Sequence, residues 1–210
     1  MRRPLLAIVT ILVAAAAGAA DHSRTLTLEK PADGLTGIVV KAGIGDVEIV
    51  AQDRPTISVE VEVSAKRTSF FGSRADVEAA EITVERTGST LHLEVTTPHH
   101  EDHGYTERWS IRMPAALAAR LKLGVGDIRV LDTTGDLDVE VGVGDIRVES
   151  AYDAFGPIRA SAGVGDVKLR TPSGRETGDG FISKSLDSRG GGKAGINAHA
   201  GVGDVDLRLR

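Results

Sequence analysis

Residues 124–130 read GVGDIRV, and residues 142–148 read GVGDIRV again, 18 residues later. A recurrence at fixed spacing marks one structural unit copied along an axis; a single catalytic loop would need its glycines and its acid only once. Reading outward gives five copies: AGIGDVEI at 42–49, LGVGDIRV at 123–130, VGVGDIRV at 141–148, AGVGDVKL at 162–169 and AGVGDVDL at 200–207. Their aspartates are Asp46, Asp127, Asp145, Asp166 and Asp204, and the last four are 18, 21 and 38 residues apart. The longest gap is close to two units, and the glycine-rich segment 174–195 inside it reads as an irregular piece.

Apolar residues alternate around every aspartate. Six before it stand Val40, Leu121, Val139, Ala160 and Ala198; four before it, Ala42, Leu123, Val141, Ala162 and Ala200; two before it, Ile44, Val125, Val143, Val164 and Val202. One after it stand Val47, Ile128, Ile146, Val167 and Val205, and three after it Ile49, Val130, Val148, Leu169 and Leu207. Period two with a β-branched majority means strands with one buried face, so all five columns are expected inside. Each unit is then strand, Gly-x-Gly-Asp turn, strand, connection. A unit this short cannot bury its own apolar face and must stack on its neighbours at about 4.8 Å per layer. The expected fold is all-β, a β-solenoid or β-roll of two-strand rungs stacked in chain order. The last copy would then form an open rim, blunted by Asp206, Arg208 and Arg210, which suits a monomer or a weak edge-to-edge dimer.

The residues between the first two copies differ in character. TISVEVEV at 56–63 and RWSIRM at 108–113 alternate as strands, and EITVER at 81–86 and LHLEV at 91–95 flank GST as a hairpin. Residues 70–76 and 98–105 read as loops, and 75–80 as a short bend. We read this as an antiparallel block inserted after the first repeat, within the same domain.

Three parts in this order resemble the bacterial putative adhesin repeat family of secreted and envelope proteins: AGIGDVEIVAQDRPTISVEVE at 42–62, the strand ending in MPA at 113–115, and the serial GxGD copies. The resemblance covers most of residues 25–210. It implies a β-solenoid-like fold and an adhesin label that rests on architecture, and it carries no catalytic residues over.

Residues 1–20, MRRPLLAIVTILVAAAAGAA, have two arginines, an apolar run and small residues before a cut after Ala19 or Ala20, the layout of a secretory signal peptide. The expected organisation is a signal peptide over 1–20 and one domain over 21–210, secreted or periplasmic. Loss of Arg2 and Arg3 would take the formal charge from −5 to −7. That acidity argues against a nucleic-acid partner. Seven residues are Phe, Trp or Tyr, too few to line a base- or sugar-stacking platform. The chain has no cysteine, so neither a disulfide nor a cysteine-borne lipid is expected.

The candidates for chemistry are few. Calcium β-rolls repeat every nine residues with more acids per turn. One aspartate per unit fits better as an acceptor of backbone N–H groups. No lysine followed by Ser or Thr makes a phosphate loop of any copy. PHHEDHG at 98–104 sets His99, His100 and His103 beside Glu101 and Asp102, which could ligate zinc or copper or be a solvated hairpin loop. Stacking would align Arg129, Arg147 and Lys168 as a basic stripe, interrupted at its ends by Glu48 and Asp206. No G-x-S-x-G or H-E-x-x-H occurs. The leading expectation is a non-enzymatic surface for an envelope partner, glycan or protein, without a cofactor, catalytic residue or assigned metal site. The alternatives are a polysaccharide-acting solenoid enzyme and a periplasmic metal-handling protein using the His99–His103 loop.

Overall fold

The computed structural model describes residues 23–65, 77–97, 105–180 and 183–210, and these are all-β. The strands are β1 (Ser23–Pro31), β2 (Gly37–Gln52), β3 (Thr56–Ala65), β4 (Glu81–Thr87), β5 (Thr90–Thr96), β6 (Tyr105–Pro114), β7 (Ala118–Val125) and β8 (Ile128–Leu131). They continue as β9 (Leu137–Val143), β10 (Ile146–Ser150), β11 (Phe155–Val164), β12 (Val167–Thr171), β13 (Gly174–Thr177), β14 (Lys184–Arg189), β15 (Ala194–Val202) and β16 (Val205–Leu209). Two 3-10 turns, Val77–Ala79 and Tyr152–Ala154, are the only helical pieces among the described residues.

Every copy of the repeat contributes one strand to each of two runs. The first run is ordered β4-β5-β2-β7-β9-β15-β11-β14, with the members from β5 to β11 parallel. The second is β1-β3-β6-β2-β8-β10-β16-β12-β13, with the members from β6 to β12 parallel. The long strand β2 belongs to both and joins them into one sheet folded over a single core. Register is kept copy to copy: Val47, Ile128, Ile146, Val205 and Val167 follow one another across the second run. Leu121, Val139, Ala198 and Ala160 do so across the first. The columns six before and one and three after each aspartate are buried in all five copies. The column four before is buried in four, Ala42 being half-buried. At about 1.5–3 kcal/mol for each buried Val, Leu or Ile, these columns hold the stack together.

Three expectations need correction. The copies do not stack in chain order. The fifth copy, on β15 and β16, lies between the third (β9, β10) and the fourth (β11, β12). The fourth copy is therefore the outer one. It is covered by β13 and β14, antiparallel strands from the irregular segment, so the C-terminal copy is not a bare rim.

The second correction concerns the column two before the aspartate. Val125, Val143, Val164 and Val202 are 45%, 49%, 55% and 49% exposed, and Ile44 is half-buried. Strict alternation fails there because the chain leaves one run for the other at a glycine with φ between +131° and +146°, and the corner begins one residue earlier than the pattern implies. Val143→Asp should accordingly cost under about 1 kcal/mol, whereas Val148→Asp, in a fully buried position, should cost several. Urea denaturation of the two variants measures the difference.

Third, the inserted block is only partly antiparallel. β4 and β5 form the expected hairpin and β3 runs antiparallel to β6, but β5 and β6 lie parallel to β2 and act as one more layer.

Candidate interaction surface

The corner of each layer is built from Gly-Val-Gly-Asp, or Gly-Ile-Gly-Asp in the first copy. In every copy but the first, the first glycine has no room for a side chain. A Cβ on Gly142 would sit 2.6 Å from the carbonyl oxygen of Gly124, and one on Gly201 2.5 Å from that of Gly142. The second glycine needs positive φ and meets the layer below more closely still. Between these two constrained positions, in the later four copies, the valine faces solvent.

The aspartates form a ladder running through the layers. Asp46 Oδ1 accepts the backbone N–H of Asp127 at 3.3 Å, and Asp127 Oδ1 that of Asp145 at 2.9 Å. Asp145 Oδ1 accepts from Asp204 N at 2.9 Å, and Asp204 Oδ1 from Asp166 N at 2.8 Å. The acceptor role read from the sequence holds, but the donor belongs to the next layer. A charge-assisted bond to each neighbour offsets the repulsion of acids stacked one layer apart. Asp166 ends the ladder. Lys184 of β14 binds its Oδ1, Lys168 lies 3.5 Å from its Oδ2, and these ammonium groups hold its carboxyl below the usual range.

On the strand beside the other end of the ladder, opposite Gly45, lies Glu107, which the sequence reading missed. It is buried, 3% exposed, on β6. Its Oε2 accepts the indole N–H of Trp109 at 2.6 Å and its Oε1 the N–H of Gly43 at 3.3 Å. Burial pushes its carboxyl above the usual range, these two donors pull against that, and the charge of Glu94 adds to the rise. Burial, followed by the charge of Glu107, also raises the neighbouring Tyr105 phenol. A folded-state value above the unfolded one contributes stability that is present at low pH and lost as pH rises through the folded value. Glu107→Gln keeps an acceptor for Trp109 and removes the titration. Wild type should thus lose more stability than this variant as pH rises above the ordinary glutamate range. The one tryptophan of the chain reports both unfolding curves, and equal losses would refute the assignment.

The expected basic stripe does not form. With the fifth copy interleaved, the column reads Glu48, Arg129, Arg147, Asp206, Lys168, so Asp206 breaks it in the middle. Arg208 reaches Asp206 at 2.9 Å and Glu149 at 3.7 Å, Arg170 reaches Asp206 at 3.6 Å, and Arg147 reaches Asp145 at 3.1 Å. The result is a mixed-charge face. On the opposite run Arg120–Asp138 and Lys122–Glu140, both at 2.8 Å, make a similar ladder. An open polar concavity of 670 Å³ lies over β1, β3 and β6, with Glu29, Arg54, Glu60 and Arg112 around it. The histidine loop with His99, His100 and His103 falls outside the described residues. Among the described residues no three His, Asp or Glu side chains converge to hold a metal ion. No helix among them is long and apolar enough to cross a membrane.

No protein-family model matches the chain, and no curated protein matches it in sequence. Among solved structures, it is similar to a putative cell adhesion protein from Clostridium sporogenes at 16% identity and a TM-score of 0.52, over 90% of this chain and 100% of that one. It also matches a putative adhesin from Parabacteroides merdae (10% identity, TM-score 0.29, over 68% of this chain and 62% of that one). A putative adhesin from Bacteroides fragilis matches at 10% identity and a TM-score of 0.25, over 88% and 97%. The likeness to the Clostridium protein is one of fold.

Proposed function

We propose that residues 21–210 form a single exported β-solenoid domain that presents its layered outside as an interaction surface at the cell envelope or beyond it. No catalytic step is assigned to it. Residues 1–20 serve as its signal peptide, and its kinship is with the putative adhesin repeats. Several observations support this reading: the in-register parallel columns, the layer-to-layer aspartate ladder, and a fold shared with a protein described as a putative cell adhesion protein. The observation that carries it is the exposed aliphatic column at the corner, which the fold does not require.

The test is adhesion of envelope fragments to the immobilised 21–210 protein and to its V125T/V143T/V202T variant. The variant should retain less than about a fifth of the wild-type binding, the loss expected for about 1 kcal/mol. Equal binding would contradict the reading. A panel of polysaccharides incubated with the protein should show no new reducing ends. Turnover abolished by Glu60→Gln would replace the proposal with a glycan-cleaving activity in the concavity over β1 and β3.

A further inference from the structure

Val125, Val143, Val202 and Val164 are the exposed large hydrophobic side chains among the described residues. They are adjacent: Ile44 pairs with Val125, Val125 with Val143, Val143 with Val202 and Val202 with Val164. The five form one continuous ridge along the corner of the stack, spaced by about 4.8 Å per layer. Neither descent from a common repeat nor the backbone accounts for it. The copies have diverged at other outward positions, to Glu48, Arg129, Arg147, Lys168 and Asp206 two after the aspartate. Five before it they have become Lys41, Lys122, Glu140, Ser161 and His199. At the ridge all five remain Val or Ile, although threonine would suit the same extended backbone and solvent better.

We propose that the occupant of this ridge is a second copy of the chain, packed ridge to ridge with the twofold axis running along the ridge, so that each layer faces the same layer of its partner. A periodic ridge is matched throughout its length by another of the same period. The charges choose the orientation. On one flank runs the aspartate ladder. Asp145, Asp166 and Asp204 have arginine or lysine partners within the chain, while Asp46 and Asp127 have no ion pair among the described residues. On the other flank, in those same two layers, stand Lys41 and Lys122. Lys41 has no ion pair among the described residues, and Lys122 is shared with Glu140. With the axis along the ridge, Asp46 of one copy faces Lys41 of the other and Asp127 faces Lys122, two attractive layers against one repulsive, Asp145 with Glu140. With the axis across the ridge, aspartates would face aspartates, Asp127 against Asp204, which repels. Five residues are few against the 20–30 a side of a standard interface, so the dimer is weak, with a Kd of roughly 0.1–1 mM.

This deepens the reading of the stack as an interaction surface: with so weak a dimer the ridge stays open to an envelope partner below about 0.1 mM protein, and its failure is separable, since a strictly monomeric protein could still capture envelope fragments. The absence of native cysteine gives a clean probe. Under mild oxidation V125C should form disulfide-linked dimers about tenfold faster than R159C on the outer face of β11, because the weak contact raises the local concentration. Adding V143T and V202T, or K41E and K122E, to V125C should bring the rate down to that of R159C. Sedimentation equilibrium of the wild-type protein at about 1 mM should show a dimer fraction that the K41E/K122E variant lacks. Cross-linking of V125C to V202C in a mixture, without V125C self-linking, would overturn the proposed axis. V125C no faster than R159C, with wild type monomeric at that concentration, would overturn the dimer.

Discussion

Gly144→Ala should destabilise the protein by more than about 4 kcal/mol, placing it among the most harmful single substitutions a domain can carry. Gly144 has φ +138°, where an L side chain is strained at about 1–3 kcal/mol. Its Cβ would also lie 1.9 Å from the carbonyl oxygen and 2.6 Å from the carbonyl carbon of Gly126. Both atoms are backbone, fixed by the layer beneath, so relief requires the layers to separate. Gly88→Ala is the control: φ is +63° and nothing lies within 4 Å of the new Cβ, so only the conformational cost of about 1 kcal/mol remains. Urea denaturation of both variants separates the terms. Equal, modest losses would mean that the corner glycines answer to local conformation alone.

Removing residues 194–210 should abolish cooperative folding. In a stack built in chain order this truncation would take off an end layer and leave the rest somewhat less stable, because such arrays lose stability roughly layer by layer. Here β15 and β16 are interior. Ile196, Ala198, Ala200, Val205, Leu207 and Leu209 are all buried in a layer with neighbours on both sides. Their loss uncovers two apolar layer faces and parts the fourth copy and its covering strands from the third. A thermal scan by circular dichroism should show no sigmoidal transition. A clear transition at a slightly lower Tm would contradict the interior placement.

The sequence disclosed the strands and most of the core because both depend on period two, which side chains obey locally. Val139, Val141, Ile146 and Val148 lie where alternation puts them. Val143 does not, because burial also depends on what faces a side chain, and the chain turns the corner before the opposite run begins. The order of layers was hidden for a different reason. The fifth copy presents the same columns as the others, so nothing in residues 200–207 says which neighbours they choose. That choice goes with the irregular segment, whose strands β13 and β14 cover the fourth copy and leave its other side to the fifth. The aspartate could be read as an acceptor from its place in the turn, but its donor lies 18 to 81 residues away. Glu107 had a visible signal. In the alternation of TERWSIRM it shares a face with Trp109, Ile111 and Met113, all buried, and a glutamate in an inward register demands a donor. Starting the strand at Arg108 concealed it.

The interleaved order is tested most directly by two double-cysteine variants of this cysteine-free chain. Arg147 and Asp206 are register partners on adjacent strands, and so are Asp206 and Lys168, which puts Arg147 and Lys168 two layers apart. Neighbouring parallel strands lie about 4.8 Å apart, within the Cα range of a disulfide, and two layers span about 9.6 Å, beyond it. R147C/D206C should therefore oxidise to an intramolecular disulfide, read as a mass loss of two hydrogens, while R147C/K168C stays reduced under the same conditions. The reverse outcome, a bond between positions 147 and 168 and none between 147 and 206, would show that the copies stack in chain order.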